Sequence, residues 1–312
     1  MRKKIFVIIL VSLLSILLIG CGKKEQEKKY SIVVTNFPCY DFARAIVKDS
    51  DEFDIKMLLK PGSEIHDFDP TPQDIIDIEN SDLFIYVGGE SDTWVDSVIS
   101  DLDKDKTKAI KLMDFVPLFV EETKEGMEVD EYEEDHEEYD EHIWTSPKNA
   151  IKIIEGLSEI ISQIDKENSD LYIENAKNYT EELKRIDIEI REIVNNSNNK
   201  LLIFGDRFPF RYFVEEYGLN YYAAFNGCSE ASEASAKTIA FLVDKIKTNN
   251  INYILKIELS SEKIAIALKN ETNKEIRTLN SAHNISQKDF DSGITYVDIM
   301  KDNIKVLKEV LN

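Results

Sequence analysis

Four histidines stand among the 312 residues, at His66, His136, His142 and His283, and imidazole is a preferred ligand for zinc and other borderline metals. So small a number makes the surroundings of each informative. His66 falls in Pro61-Gly62-Ser63-Glu64-Ile65-His66-Asp67-Phe68-Asp69-Pro70-Thr71-Pro72, a turn-rich stretch between an expected strand and an expected helix, the kind of loop that carries binding residues. His142 falls in Asp140-Glu141-His142-Ile143-Trp144-Thr145-Ser146-Pro147. There Ser146 as cap and Pro147 at the first helical position start a helix just beyond it. A lone loop histidine is more often a surface residue than a ligand, so neither position decides the chemistry by itself. Two chemistries are open to such residues: a closed metal shell, which holds an ion, and an open shell with a bound water, which hydrolyses. The sequence has no His-Glu-x-x-His motif, which weighs against the second.

The elements that must position these residues alternate. Tyr30–Asn36 is rich in β-branched residues and reads as the first strand, followed by a helix with Phe42, Ala43, Ala45 and Ile46 on one face. Further strands are expected at Phe53–Leu59 and Leu83–Val87, with helical spacing from Pro72 to Asn80. From Ser146 to Asn196 the pattern is almost wholly helical. Ile151, Ile154, Leu157, Ile160 and Ile161 mark one amphipathic helix, and Leu171, Ile173, Ala176, Tyr179, Leu183, Ile186, Ile190 and Ile193 continue the stripe. A helix of about 28 residues is about 42 Å long, longer than one lobe needs, and would act as a rigid strut. The alternation then restarts, with strands at Lys200–Phe204, Tyr221–Phe225 and Ile251–Ile257 and helices at Phe210–Tyr217, Lys237–Thr248 and Thr295–Leu311. Strands alternating with helices imply parallel sheets covered by helices. The expected class is therefore α/β with two lobes, each a mainly parallel sheet flanked by helices, at residues 30–145 and 199–312, joined through a helical segment at residues 146–198.

The formal net charge of −22 repels a polyanion and attracts cations, which argues against nucleic acid as a partner. Much of that charge lies in Glu121–Glu141, where nearly every other residue is a carboxylate, with one lysine and one histidine, His136. Such a stretch cannot bury a core and is expected as a mobile surface loop, either a weak cation collector or a solubilising insert. At the start of the chain Arg2, Lys3 and Lys4 precede an uncharged apolar run from Ile5 to Gly20 that is too short for a comfortable membrane span and closes on Cys21. This is the pattern of a lipoprotein signal at residues 1–20, with Cys21 as the lipid attachment and residues 21–29 as a polar tether. The mature chain is then expected outside the cytoplasm, anchored to the cell membrane. Cys39 and Cys228 are the remaining cysteines; they either pair in an oxidising compartment or stay as two buried thiols. Trp94 and Trp144 read as packing residues, and Tyr221-Tyr222 as strand-lining.

The run GSEIHDFDPTPQDI, the stretch SDLFIYVGGESDTW, and DEHIWTSPKNA after an acidic loop and before the long helix resemble the zinc- and manganese-binding solute-binding proteins of ABC importers. The resemblance covers essentially the whole chain beyond Cys21, in order. It implies two lobes joined by one long rigid helix, with a single metal in the cleft between them on four side chains. It also implies a monomer that delivers its metal to an ABC permease and is not an enzyme. The matching positions make His66 and His142 the ligands from the first lobe. The second lobe departs from the family pattern, which offers a histidine or glutamate shortly before a Phe-x-Tyr segment. Here the run is Asp206-Arg207-Phe208-Pro209-Phe210-Arg211-Tyr212, and counting back from Tyr212 without a gap lands on Arg207, which cannot ligate a cation. Asp206, one residue earlier, is the nearest carboxylate. The family's late aspartate falls near Leu279–Ser286, where His283 stands instead. The implied shell is His66, His142, Asp206 and His283, with Glu230, Glu233 and Glu258 as competitors of Asp206. Three imidazoles and one carboxylate suit tetrahedral zinc better than a harder ion. Manganese is the alternative cargo, and a zinc metallohydrolase or a surface adhesin the alternative class of function.

Overall fold

The computed structural model describes residues 29–64, 68–128, 138–229 and 233–312. The signal segment with Cys21, the tether to residue 28, His66, His136 and Glu230 lie outside the described residues. The first lobe holds β1 (Tyr30–Val34), α1 (Phe37–Ile46), β2 (Phe53–Met57), α2 (Pro72–Asn80), β3 (Leu83–Tyr86), α3 (Val95–Asp101) and β4 (Lys108–Lys111). Its strands are parallel in the order β2-β1-β3-β4, with Ile32 between Ile55 and Leu83. The second lobe repeats the plan with β5 (Leu201–Phe204), α6 (Arg211–Tyr217), β6 (Asn220–Ala223), α7 (Ala236–Thr248), β7 (Tyr253–Lys256), α8 (Lys263–Thr272), β8 (Glu275–Thr278), α9 (Gln287–Asp291) and α10 (Tyr296–Val310). Its parallel order is β6-β5-β7-β8, and the helices α4 (Pro147–Ile164) and α5 (Ser169–Asn196) lie between the lobes in sequence.

In the inner strands side chains alternate between two buried faces, which is why β3 and β5 are continuous apolar runs. In β1, Ile32 and Val34 join a large central cluster, while Val33 joins an outer cluster with Ile78, Phe84 and Val95. In β5, Leu202 and Phe204 face the central cluster and Ile203 the outer cluster of the second lobe. Several helices start where the sequence supplies a cap: Asn36 accepts from Cys39 N, Ser146 from Asn149 N and Ser235 from Thr238 N. Thr71 with Asp74 and Thr295 with Asp298 form reciprocal capping boxes.

The long helix is α5, with 28 residues. It buries Tyr172, Ala176, Thr180, Leu183, Ile186, Ile190 and Val194, spaced three or four apart as one helical face requires. Ala176, Leu183, Ile186 and Ile190 are buried as the stripe predicts and Leu171, Tyr179 and Ile193 pack against the core, whereas Ile173 is 51% exposed and Tyr172 takes the inward place. Near its start Asn175 donates to the carbonyls of Ile46 and Lys48 in the first lobe, and past its end the Ser197 hydroxyl donates to Leu311 O in the second. Buried Asp41 of α1 accepts from Tyr179 of α5 and from Tyr296 N of α10, and pairs with Arg44. Replacing Leu183, fully buried, by alanine would cost about 2–5 kcal/mol.

Both sheets send their strand carboxyl ends toward the same place. Loops beyond such ends are where open parallel sheets bind ligands. Gly62 N after β2 donates to Ile285 O after β8 (2.8 Å), and the Trp144 indole donates to Ser281 O (2.8 Å).

Candidate metal centre

His142 sits between Asp140 and a single turn at Ile143–Thr145 that leads into α4. Asp140 Oδ1 accepts from His142 N at 2.8 Å and lies 3.2 Å from the ring Nδ1. A carboxylate only accepts, so Nδ1 carries the proton and Nε2 is the ring atom that can ligate a metal. Asp140 is itself fixed, its carbonyl accepting from the Tyr212 hydroxyl of the second lobe at 2.8 Å. Burial of the ring opposes its protonation, but the negative charges of Asp140, Glu141 and Glu121 outweigh it and raise the imidazole pKa above its ordinary value. The same charges attract a divalent cation. Gly227 closes against the ring: a Cβ there would stand 3.1 Å from His142 Cε1.

His283 arrives from the second lobe, after β8. Its amide donates to Glu258 Oε1 at 3.0 Å, and the Ser281 amide and hydroxyl each donate to the same carboxylate at 2.7 Å. Burial pushes the Glu258 carboxyl up despite these donors. Ala282, just before the histidine, holds φ of 57°, a left-handed conformation that non-glycine residues adopt only when their surroundings impose it. The imidazoles of His142 and His283 meet nearly at right angles, 4.9 Å between centroids, and Trp144 packs on both at 5.4 and 5.6 Å. Both Nε2 atoms are buried.

A third group completes the cluster. Glu141, His142 and His283 are all buried and bring one ligand atom each within 4.8 Å of one another. Neighbours in a chain usually point apart, but Ile143 N donates to Glu141 O at 2.8 Å and His142 has φ −79° and ψ 43°. This is an inverse γ-turn, and its tight reversal lets the two side chains converge. The Glu141 carboxylate accepts from Ser91 N (2.9 Å) and Ser91 Oγ (2.6 Å) in the loop after β3. That approach depends on Gly89, where a Cβ would lie 2.2 Å from Glu141 Cβ.

The structure therefore brings His142 and His283 together with Glu141, which the sequence reading did not name; its only signal was adjacency to His142. Among the described residues, Asp206 is not in this cluster. One of its oxygens accepts from Arg207 N at 2.9 Å and the other from Ile257 N at 3.0 Å, which ties the ends of β5 and β7 together. Among its competitors, Glu258 is spent on the His283 loop, and Glu233 is exposed and paired with Lys263. Cys39 and Cys228 are both free and buried. The ends of the acidic segment are not the loose surface expected for Glu121–Glu141. Val120 bridges Tyr139, and Glu121 accepts from Cys228 N at 3.1 Å and from the Asn226 side chain at 3.2 Å. Burial, and then the charge of Asp140, raises the Glu121 carboxyl.

Comparison with known proteins places the chain in a family. The zinc-binding lipoprotein AdcA of Streptococcus pneumoniae serotype 4 is 30% identical over 304 residues, 97% of this chain, which spans only 60% of that relative's length. The high-affinity zinc uptake system protein ZnuA of Bacillus subtilis is 30% identical over 315 residues, covering 95% of this chain and 94% of its own. The crystal structure of the Zn(II)-bound ZnuA-like domain of Streptococcus pneumoniae AdcA superposes with a TM-score of 0.76 at 28% identity, over 91% of this chain and 99% of that one. Residues 32–310 match the family described as zinc-uptake complex component A, periplasmic, and the chain belongs to that family.

Proposed function

We propose that this chain captures a zinc ion in the cleft between its lobes and hands it to the permease of an ABC importer. The metal is cargo and not the cofactor of a catalyst, in keeping with a family of uptake components. The observation that carries this reading is the buried convergence of Glu141, His142 and His283, reached from both lobes. The shell we propose is His66, His142, His283 and Glu141. Glu141 is preferred to Asp206 by proximity alone, since both carboxylates also accept hydrogen bonds from the protein. Three imidazoles and a carboxylate form a nitrogen-rich borderline shell, which favours zinc over manganese.

The test is to load the metal-free mature chain with equimolar zinc and manganese, then measure bound metal by mass spectrometry. One zinc per chain is expected, and a chain that retains no metal, or manganese in preference, would refute the assignment. We further propose that Cys21 carries the lipid that holds the chain at the membrane surface. Cys21→Ser should move it into the soluble extracytoplasmic fraction; membrane retention of that variant would dismiss the anchor.

A further inference from the structure

The chain just ahead of His66 is fastened to the opposite lobe. Gly62 N donates to Ile285 O at 2.8 Å, and the Asn284 side-chain amide donates to Ser63 O. The Arg207 guanidinium donates to Glu64 Oε2 at 2.7 Å and to Ser229 O at 3.4 Å. Two of these ties start next to a residue of the proposed shell, since Asn284 and Ile285 follow His283, and the third starts at Arg207, next to the Asp206 clamp that fixes β5 to β7. Glu64 precedes His66 by two residues, so at most about 7 Å of chain separates them. Arg207 thus stands where the resemblance called for a ligand, unable to bind a metal, with its charge turned to the other lobe.

We propose that Arg207 is a positioning residue for metal retention: by pairing with Glu64 it holds the rim at residues 62–64 against the second lobe, beside His283, and slows zinc release. This rests on the zinc-binding reading above. The Arg207 side chain is 16% exposed and that of Glu64 38%. A pair so placed adds little to global stability; it slows release because rim separation requires breaking it. Charge pairs near a surface also weaken as salt rises.

The zinc-loaded full chain is mixed with excess chromogenic chelator and release is followed by stopped flow, beside Arg207→Ala, Glu64→Gln and the charge-swapped Glu64→Arg/Arg207→Glu. Each single variant should release zinc about fivefold faster, with an unchanged association rate and an unchanged melting temperature of the metal-free form. The swapped pair should return toward the parent rate, and added salt should speed release in the parent more than in Arg207→Ala. Glu64→Gln leaves the Asp206 clamp untouched, so it tests the pair even if Arg207→Ala folds poorly. Parent-like release in Glu64→Gln overturns the proposal while leaving zinc capture intact, as does a swapped pair that stays fast. A parent chain that holds no zinc defeats both this proposal and the capture reading.

Discussion

The inner wall of the cleft and its rim are held by different forces. On the wall, His142, Glu141 and His283 are buried, and Trp144 braces one lobe's loop on the other through its bond to Ser281 O. The Tyr296 hydroxyl donates to Trp144 O at 2.6 Å, adding a second buried brace between the lobes. At the rim, a partly exposed ion pair and short backbone ties connect residues 62–64 to the second lobe. Donors that are fixed before the metal arrives lower the cost of binding it, so the wall should set affinity. Contacts that break and reform cheaply should set rates, and the rim is made of those.

The largest effect should come from removing a wall imidazole. His283→Ala is expected to weaken zinc by at least about 100-fold in competition with a chelator of known affinity, more than changes to outer groups usually do. Parent-like affinity would place the binding site elsewhere. A sharper comparison sets Glu141→Gln against Asp206→Asn. The first should lose more zinc affinity, by about tenfold or more, and the second should act mainly on stability by weakening the tie between β5 and β7. The reverse order in titration and thermal melts would return Asp206 to the shell. A smaller effect is expected from Trp144→Phe, which deletes the indole N–H and leaves the Ser281 carbonyl short of its donor. It should cost about 1–3 kcal/mol in denaturant unfolding of the metal-free chain. If it changes neither stability nor zinc affinity, the wall is not braced as described.

Most of the fold could be read from the sequence because β1, β3, β5 and β7 are buried on both faces and leave unbroken apolar runs. What escaped reading was at the edges. β4 is Lys-Ala-Ile-Lys and β8 is Glu-Ile-Arg-Thr, and each has one neighbouring strand. Half-exposed edge strands tolerate charge, so their composition resembles loops. The buried cluster of Glu141, His142 and His283 divided in the same way. His142 and His283 were legible because the chain has so few histidines, whereas Glu141 was one carboxylate in an acidic run, and only the γ-turn at His142 and the space left by Gly89 single it out. Asp206 was named as the carboxylate nearest the position where the resemblance calls for a ligand. The end of β5 also exposes backbone amides, and Asp206 accepts from those of Arg207 and Ile257.

The central buried cluster has one further consequence, for how the molecule comes apart. It contains Ile32 and Leu83 from the first sheet, Leu183 and Ile190 from the strut, and Phe204 and Leu255 from the second sheet. Two lobes with separate cores would melt as two events. A shared core makes partial unfolding expose apolar surface from the remainder, so heating should give a single calorimetric transition with equal van't Hoff and calorimetric enthalpies. The outer clusters behind each sheet would then open only with the whole, and a chain stripped of zinc would persist as one cooperative unit and not as a folded half with a loose partner.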